Sequence, residues 1–390
     1  MTEGNRTCKR VAVIGCTGSV GSSVLDVCRT YPEKFRVTAL AADTGREGLP
    51  LLCREFSPRL VALTRPRDDL PSGVQLITGK DALLRVVEAD DVDHVVFASS
   101  GIAAVAALVR ALEIGKEISL ANKESSLIVG DALSPAVRCG QLRPLDSEHN
   151  ALWQCLIGEK PETVAKLTLT ASGGPFLRTP LSELEKVTPD QASAHPVWSM
   201  GRKISVDSAT MINKGIELLE AGYLFGLSAE KIDAVIHPGS RVHAIVSYID
   251  GATKLLMSPP DMRLPALTAL SWPERFPLRL NGITPLDFNG LDLHFEVPER
   301  DRFPGYYTSI EVARARGPYP VILIAADETA VRLYLEGRIR FTDIARLVAE
   351  TLETYAGPDV SDPASRAALY ERTCVHAREY ALGREKKGWN

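Results

Sequence analysis

The chain has 390 residues, which suffices for two or three domains with apolar cores of their own. It carries 45 basic and 49 acidic residues, and the net charge of −4 argues against a general nucleic-acid binder and against an acidic disordered tail. Its seven cysteines form no CxxC pair and its apolar runs are too short to span a membrane, so we expect a cytoplasmic protein with free thiols that binds neither nucleic acid nor membranes.

The N-terminal part of the chain alternates short apolar runs with helical stretches. This alternation predicts an α/β domain with a Rossmann-like, doubly wound parallel sheet. The predicted strands are 11–14, 36–42, 60–63, 93–98 and 117–121, and the predicted helices are 22–28 and 103–113.

After Pro144 the pattern changes to that of an α+β region with a second sheet. The strands predicted there are 167–170, 234–237 and 242–248, and a helix is predicted at 211–225. Residues 179–202 show no clear period and are predicted to form a long loop, and long loops in compact domains are usually functional or mobile. Residues 272–298 are typical of a linker, and a C-terminal helical bundle follows, with helices predicted at 309–315, 324–335, 341–355 and 363–382.

Glycines with GxxGxxG spacing follow the first predicted strand, in the order Gly15-Cys16-Thr17-Gly18-Ser19-Val20-Gly21. Between a strand and a helix, such glycines permit a tight turn, and the N–H groups at the helix N-terminus can hold a pyrophosphate. An ordinary strand–helix turn is the alternative. The second strand ends in Asp43-Thr44-Gly45-Arg46, which combines the acid typical of NAD sites with the arginine typical of NADP sites, so this segment leaves the choice of nucleotide open.

Two carboxylates, Asp146 and Glu148, are two residues apart in a segment that follows a proline. In an extended segment they would point to the same side. Close carboxylates need a cation or a proton between them, and oxygen ligands suit Mg²⁺ or Mn²⁺. A solvated acidic turn is the alternative.

A second polar cluster contains Asn213, Lys214 and Glu217, which the spacing predicts to lie on or near one helix face. Ser208 is expected near the start of that helix. This set suits a phosphorylated and hydroxylated ligand, and the alternative is a surface face with a Lys–Glu pair.

Three further positions carry groups that suit ligand binding. Ser172, followed by two glycines, can supply a hydroxyl and unhindered N–H groups to a phosphate, or can belong to a plain turn. Lys123 lies at the carboxyl edge of the first sheet, where it would contact cofactor and substrate or be an ordinary loop lysine. Trp198, close to His195 in the aperiodic segment, is expected to close over a ligand or to pack as a static plug.

Taken together, these segments resemble the 1-deoxy-D-xylulose 5-phosphate reductoisomerase family over nearly the whole chain. The matching stretches are GCTGSVG (15–21), LANKES (120–125), PLDSEHNALWQ (144–154), TASGGPF (170–176), HPVWSMGRKISVDSATMINKGIELLEA (195–221), HP-x-S-x-VH (237–243) and PDMRLP (260–265). The block from His195 is the most specific of them.

The resemblance implies an oxidoreductase that rearranges a phosphorylated ketose and reduces the product with NADPH, with Mg²⁺ or Mn²⁺ as the metal. It implies an NADPH-binding domain at 1–145, a catalytic domain at 146–271 with a mobile lid at about 179–202, a linker at 272–298, a helical domain at 299–390, and a homodimer. The implied catalytic residues are Lys123, Asp146, Glu148, His195 and Glu217, of which Asp146, Glu148 and Glu217 would bind the metal. The implied substrate contacts are Lys123, Ser147, Glu148, Ser172, His195, Ser208, Asn213, Lys214 and Glu217. The implied cofactor contacts are Thr17, Gly18, Ser19, Val20, Asn122, Glu124 and Gly201, and the implied lid residues are Trp198 and Met200.

The chain departs from the family pattern at Asp43-Thr44-Gly45, at Gly239 and Arg241, and at Asp327. The first departure puts the usual contacts to the 2′-phosphate of NADPH in doubt. Two other readings stay open. A metal-independent dehydrogenase would leave the three carboxylates without a role, and a cofactor-binding paralogue with a dead site would leave them intact without turnover.

Overall fold

The computed structural model describes residues 8–43, 48–198, 201–355, 357–358 and 360–385. The chain divides into two compact units. Unit 1 consists of Met1–Ser125, Ala132–Asn150 and Asp261–Thr284, and unit 2 consists of Ser126–Asp131, Ala151–Pro260 and Pro285–Asn390.

Unit 1 is built on a seven-stranded parallel sheet with the strand order β4-β3-β2-β1-β5-β6-β7. The strands are β1 (Lys9–Ile14), β2 (Phe35–Ala42), β3 (Leu60–Leu63), β4 (Gln75–Thr78), β5 (His94–Phe97), β6 (Glu117–Leu120) and β7 (Leu142–Pro144). The central strands β1 and β5 contain continuous buried apolar runs, at residues 11–14 and 95–97, because helices cover both faces of a parallel sheet. The Rossmann-like prediction is therefore confirmed.

The helices that the chain forms between and after these strands are α1 (Ser19–Thr30), α2 (Leu49–Phe56), α3 (Ala82–Val87), α4 (Val105–Glu113), α5 (Lys123–Val129), α6 (Leu133–Arg138) and α7 (Ser147–Leu156). The division into units falls within α5 and α7. A later helix, α11 (Arg263–Ser271), also belongs to unit 1. Its C-terminal carbonyls accept hydrogen bonds from the cations Lys9 and Arg143, at Leu270 and Ala269 respectively, which complements the helix dipole.

Unit 2 contains a four-stranded sheet with the order β11-β10-β8-β9. Its strands are β8 (Val164–Ala171), β9 (Ile232–Ile236), β10 (Val242–Tyr248) and β11 (Thr253–Met257). Strand β8 runs parallel to β9 and antiparallel to β10, which in turn pairs antiparallel with β11.

The helices of unit 2 confirm the predicted α+β and C-terminal helical regions. They are α8 (Pro189–Ser193), α9 (Arg202–Thr210), α10 (Ile212–Phe225), α12 (Pro304–Ala315), α13 (Tyr319–Leu335), α14 (Phe341–Thr354) and α15 (Pro363–Glu385). Helices α10 and α13 are buried over most of their residues and therefore form the core of this unit. Every described helix is too short or too polar to cross a bilayer.

The expectation of a long loop over residues 179–202 is wrong for part of that range. A 3-10 helix covers Leu181–Lys186, and α8 follows it. Helix α8 begins with a capping box in which Thr188 and Gln191 each bond the other's backbone N–H, and this local pairing stabilises a helix that has no apolar period. Irregular backbone remains at 194–198.

Candidate active site

The glycine turn joins β1 to α1 in unit 1, as the GxxGxxG spacing predicts. Gly15 has φ of +87°, and a Cβ there would lie 2.5 Å from the backbone carbonyl carbon of Ala98, so only glycine fits. A Cβ at Gly21 would overlap the carbonyl oxygen of Gly15. Gly18 precedes α1 without a side-chain cap, which leaves the first N–H groups of the helix uncapped by any side chain.

The four residues expected to bind the cofactor at this turn are therefore at the helix start. They are Thr17, Gly18, Ser19 and Val20. Uncapped N–H groups and the positive end of the helix dipole favour an anionic ligand at this place. Asp43 follows β2, whereas Thr44, Gly45 and Arg46 lie outside the described residues.

The loop after β5 is held by Asn122, which follows β6. Its Nδ2 donates to the carbonyl oxygens of Ser99 (2.7 Å) and Gly101 (2.9 Å), and its Oδ1 accepts from the N–H of Ser125 (2.6 Å). These bonds connect the carboxyl ends of two neighbouring strands to the first turn of α5. Glu124 is buried in the same turn.

The carboxylates of unit 1 stand at the start of α7. Asp146 directly precedes the helix, and its Oδ2 lies 2.5 Å from Nζ of Lys123 and 3.4 Å from Nδ1 of His149. Burial by itself would raise the pKa of Asp146, but the Lys123 ammonium and His149 hold it well below its usual range. Beside it, Ser147 Oγ donates to Glu148 Oε2 at 2.6 Å.

The geometric reason given for pairing Asp146 with Glu148 is wrong. The segment is not extended, because Ser147–Leu156 is helical and the N–H of Asn150 donates to the carbonyl oxygen of Asp146 at 2.8 Å. Both carboxylates therefore lie at a helix N-terminus, where the dipole favours negative charge. His149 was not predicted as a partner, although its spacing of three residues from Asp146 could have indicated it.

The polar cluster of unit 2 lies in the first turns of α10. Asn213 Nδ2 and Lys214 Nζ both donate to the carboxylate of Glu217, as the spacing predicts. Lys214 and Glu217 are buried, so this ion pair is not a solvated surface pair. Within the described residues, Asn213 Oδ1 is buried without a hydrogen-bond partner.

Ser208 lies four residues before α10 begins, as expected, but it belongs to the last turn of a separate helix, α9, which was not predicted. Met211 separates the two helices because it adopts φ of +57°, in the left-handed region. A methionine in this conformation has no sequence signal, so the break could not be predicted.

The side chains of Ser172 and Ser208 converge on His195. Nε2 of His195 lies 2.9 Å from Ser172 Oγ and 3.2 Å from Ser208 Oγ. Nδ1 accepts hydrogen bonds from the backbone N–H groups of Val197 (3.1 Å) and Trp198 (2.9 Å). Because Nδ1 is an acceptor, the ring proton of the neutral imidazole is on Nε2, which donates towards the serines.

Burial lowers the pKa of His195 to about 4, so the imidazole is neutral near pH 7. The N–H of Gly174 donates to Ser172 Oγ at 3.2 Å. Gly174 has φ of +69°, and a Cβ there would lie 2.7 Å from the backbone of Ala209, so the turn approaches α9 as closely as glycine allows. The hydroxyls of Ser172 and Ser208 and the N–H of the imidazole thus lie close together, an arrangement suited to a phosphate.

The described part of the expected lid includes Trp198. Its ring centroid is 6.3 Å from that of His243, whose own Nε2 contacts Ser258 Oγ at 2.9 Å. Met200 lies outside the described residues, and Gly201 precedes α9 as its N-cap.

Three regions of the chain match known families. Residues 11–130 match 1-deoxy-D-xylulose 5-phosphate reductoisomerase, residues 142–225 match the 1-deoxy-D-xylulose 5-phosphate reductoisomerase C-terminal domain, and residues 257–377 match the DXP reductoisomerase C-terminal domain. The 1-deoxy-D-xylulose 5-phosphate reductoisomerase of Saccharophagus degradans is 42% identical over 391 residues, covering 96% of this chain and 97% of that protein. The one from Cupriavidus metallidurans is 44% identical over 360 residues, covering 88% and 91%.

Solved structures of reductoisomerases are also similar to this chain over nearly its whole length. A DOX-P reductoisomerase crystallised with NADPH, fosmidomycin and magnesium has a TM-score of 0.87 at 34% identity, covering 97% of this chain and 98% of its own. The Zymomonas mobilis enzyme in complex with NADPH has a TM-score of 0.86 at 35% identity, covering 96% and 99%. The resemblance inferred from the motifs is thereby confirmed.

Proposed function

The chain belongs to the 1-deoxy-D-xylulose 5-phosphate reductoisomerase family, so it is an NADPH- and divalent-metal-dependent oxidoreductase, and we propose that the residues described above carry out its reaction. The reaction rearranges 1-deoxy-D-xylulose 5-phosphate to a branched aldehyde and reduces this aldehyde to 2-C-methyl-D-erythritol 4-phosphate, a precursor of isoprenoids. The observation that carries the residue-level proposal is the convergence of Ser172, His195 and Ser208, which suits the phosphate of such a substrate.

Asp146, Glu148 and Glu217 are proposed as the ligands of Mg²⁺ or Mn²⁺. The donor set fits, because all three offer carboxylate oxygens, which these cations prefer. Asp146 pairs with Lys123 in unit 1, and Glu217 pairs with Lys214 in unit 2. When bound, the divalent ion supplies Lewis-acid polarisation of the substrate carbonyl.

The glycine turn fits NADPH. Thr17, Gly18, Ser19 and Val20 would present backbone N–H groups to the pyrophosphate at the start of α1. Asn122, Glu124 and Gly201 are the further proposed cofactor contacts. Asn122 would act by keeping the loop after β5 in shape, since its amide bonds go to that loop.

The substrate phosphate would be held by Ser172, Ser208 and neutral His195, with Asn213 and Lys214 from α10. Asn213 Oδ1 is suited to a substrate hydroxyl, because this buried acceptor has no donor among the described residues. Lys123, Ser147 and Glu148 would contact the reacting end of the substrate. Glu217 would contact the same end.

The segment from His195 to Met200 would act as a lid, with Trp198 covering the bound substrate. Excluding water protects a reactive aldehyde intermediate and strengthens electrostatic contacts. Binding of the phosphate at His195 would favour closure, because the same ring holds the backbone of Trp198.

The enzyme is further proposed to be a cytoplasmic homodimer. All seven cysteines lie in the described part of the chain and are free, which suits a reducing compartment. Sedimentation of the purified protein tests the homodimer, which a monomeric mass would contradict.

A steady-state assay tests the proposal as a whole. Oxidation of NADPH is followed with 1-deoxy-D-xylulose 5-phosphate, with Mn²⁺ and after removal of metal by EDTA, and NADH is compared in the same series. Turnover is expected with NADPH and Mn²⁺ and is expected to stop with EDTA. Turnover that survives EDTA would instead favour a metal-independent dehydrogenase.

A further inference from the structure

The proposed phosphate contact Ser172 lies in a part of the chain whose own sequence gives it little rigidity. It follows strand β8, and the next two residues, Gly173 and Gly174, have φ of +83° and +69°. Glycine adopts this left-handed region without strain, but it also adopts many other conformations, so two in succession do not fix the direction of the chain. The position of Ser172 therefore depends on what holds the residues on either side.

The sheet holds the chain before Ser172. Ala171 is the last residue of β8, and its carbonyl oxygen accepts a hydrogen bond from the N–H of His237 at 2.7 Å. After the glycines, residues 175–178 form a turn, in which the N–H of Thr179 donates to the carbonyl oxygen of Phe176 at 3.2 Å. This turn belongs to neither a strand nor a helix, so contacts from elsewhere in the chain must hold it.

The side chain of Arg302 binds both ends of this turn. Its Nη1 donates to the carbonyl oxygens of Phe176 at 3.0 Å and of Thr179 at 2.6 Å. Its Nε lies 3.2 Å from Glu299 Oε2, and the side chain is only 13% exposed. Arginine suits this task because its planar guanidinium holds several donors in fixed directions.

Leu177 connects the bound turn to the glycines. It lies between the two carbonyl groups that Arg302 binds, and a Cβ on Gly173 would lie 2.9 Å from its side chain, so Leu177 is packed directly against Gly173. The N–H of Gly174 donates to Ser172 Oγ at 3.2 Å. A shift of the turn would therefore be passed on to the Ser172 hydroxyl.

Apolar packing holds only part of the turn. Phe176 packs on Phe341 of α14, with ring centroids 5.2 Å apart. The turn also borders a pocket of about 190 Å³, whose lining includes Leu177, Arg178 and Arg302. Side chains at the border of a pocket make fewer close contacts than those in a filled core. The hydrogen bonds of Arg302 are therefore contacts on which the position of the turn depends.

We propose that Arg302 is a positioning residue for phosphate binding, which holds the turn after the glycines and thereby keeps the Ser172 hydroxyl beside His195 Nε2, 2.9 Å away. The inference rests on the proposed phosphate contact of Ser172. Arg302 acts through the backbone of the turn and not by attracting the anion with its charge. Without its bonds Ser172 would sample more positions, and part of the free energy of binding would go into ordering it.

A double-mutant cycle in the full-length enzyme tests this role. Arg302→Met removes the donors and keeps an unbranched side chain, and Ser172→Ala removes the hydroxyl that is to be positioned. The dissociation constant of inorganic phosphate is measured by calorimetry for the wild type, both variants and the double variant. Arg300→Met is the matched control, because the Arg300 guanidinium lies over the ring of Tyr307, 4.1 Å from its centroid.

The expected losses differ between the two backgrounds. S172A should weaken phosphate binding by roughly 10-fold or more, the loss expected for one hydrogen bond to an anion. R302M should weaken it by at least about 3-fold in the wild type and by less than about 1.5-fold in S172A, where the positioned hydroxyl is missing. R300M should bind phosphate as the wild type does. An equal loss in both backgrounds, which direct attraction by the Arg302 charge would give, overturns the proposal, and so does no loss in either.

Hydrogen exchange gives a second readout, independent of phosphate. Peptides covering residues 172–179 should exchange faster in R302M than in the wild type, whereas R300M should leave their exchange unchanged. Arg302→Lys replaces R302M if that variant does not fold, since lysine keeps the charge but lacks the planar fork, and it carries the same expectation with smaller losses. Unchanged exchange over these peptides overturns the proposal.

The calorimetry and the exchange measurement need no turnover, so they are separate from the proposed reaction. Absence of turnover with 1-deoxy-D-xylulose 5-phosphate would refute that reaction and leave the cycle interpretable. An unchanged phosphate affinity in S172A would refute the proposed contact of Ser172, and the positioning role of Arg302 with it.

Discussion

The two ring nitrogens of His195 have separate partners, so two substitutions can separate their roles. Nε2 donates towards Ser172 and Ser208, and Nδ1 accepts from the backbone N–H groups of Val197 and Trp198. In His195→Asn, the amide oxygen stands near the position of Nδ1 and keeps the acceptor. In His195→Gln, the amide nitrogen reaches the position of Nε2 and keeps the donor.

The expected magnitudes follow from these contacts. A hydrogen bond to a charged group such as a phosphate contributes about 1.5–3 kcal/mol, so H195N should raise KM for the substrate by roughly 10- to 150-fold. H195Q keeps that donor, and its KM should change by roughly 10-fold at most. H195Q removes the acceptor of the two backbone N–H groups, which costs about 0.5–1.5 kcal/mol for each lost hydrogen bond. Because these bonds hold the proposed lid, kcat should fall.

Steady-state kinetics with 1-deoxy-D-xylulose 5-phosphate measure both effects, and competition by inorganic phosphate measures the phosphate contact alone. Ser172→Ala is the matched control, since it removes one neighbour of Nε2 and leaves Nδ1 untouched. The assignment of the two nitrogens is refuted if H195N retains the wild-type phosphate affinity, or if H195Q loses as much phosphate affinity as H195N.

Four further predictions concern the metal, the cofactor turn, the lid and the buried histidines. Glu217→Gln should lower turnover by at least about 100-fold and abolish the increase in Tm caused by Mn²⁺, while the increase caused by NADPH persists; an unchanged response to Mn²⁺ would remove Glu217 from the metal site. Gly15→Ala should lower the free energy of unfolding in urea by about 2–4 kcal/mol, because its Cβ would lie 2.5 Å from the backbone of Ala98 at φ of +87°, and a loss under about 1 kcal/mol would contradict this geometry. Trp198→Ala should raise KM and lower kcat together in steady-state assays, as expected of a lid, whereas an effect on Tm alone would make this side chain a static plug. The free energy of unfolding should fall as pH falls from about 6.5 to about 4. Burial lowers the pKa of His94 and of His243 to about 4, so in this range the unfolded chain binds protons that the folded chain does not. Urea unfolding across this range measures the effect, and a free energy that does not change with pH would mean that these histidines are protonated in the folded state.

The sequence by itself determined those features that depend on local geometry. The order strand, glycine turn, helix could be predicted because Gly15 has φ of +87°, which favours glycine, and because a Cβ at Gly21 would overlap the carbonyl oxygen of Gly15 in the same turn. Helical spacing places residues three and four apart on one face, so the contacts of Asn213 and Lys214 with Glu217 could be predicted. The central strands were readable because burial on both faces requires continuous apolar runs.

Short elements without a complete apolar pattern escaped prediction. Strand β4 has one buried residue, Ile77, and β11 has none, so each is held by hydrogen bonds to a neighbouring strand rather than by its own sequence pattern. Helix α8 escaped prediction for the same reason, because it lacks an apolar period and is stabilised by one capping box.

Only the tertiary structure decided which polar groups meet across long stretches of chain. Asp207 and Asp327 share Lys203 because α9 packs on α13, and Ser172 meets Ser208 at His195 because Gly174 lets a turn approach α9. Side-chain period and propensity act over a few residues, whereas these contacts are set by the packing of helices and strands formed far apart in the chain. Contacts between residues close in the chain could therefore be predicted from the sequence. The partners of polar groups that lie far apart in the chain were found only in the folded structure.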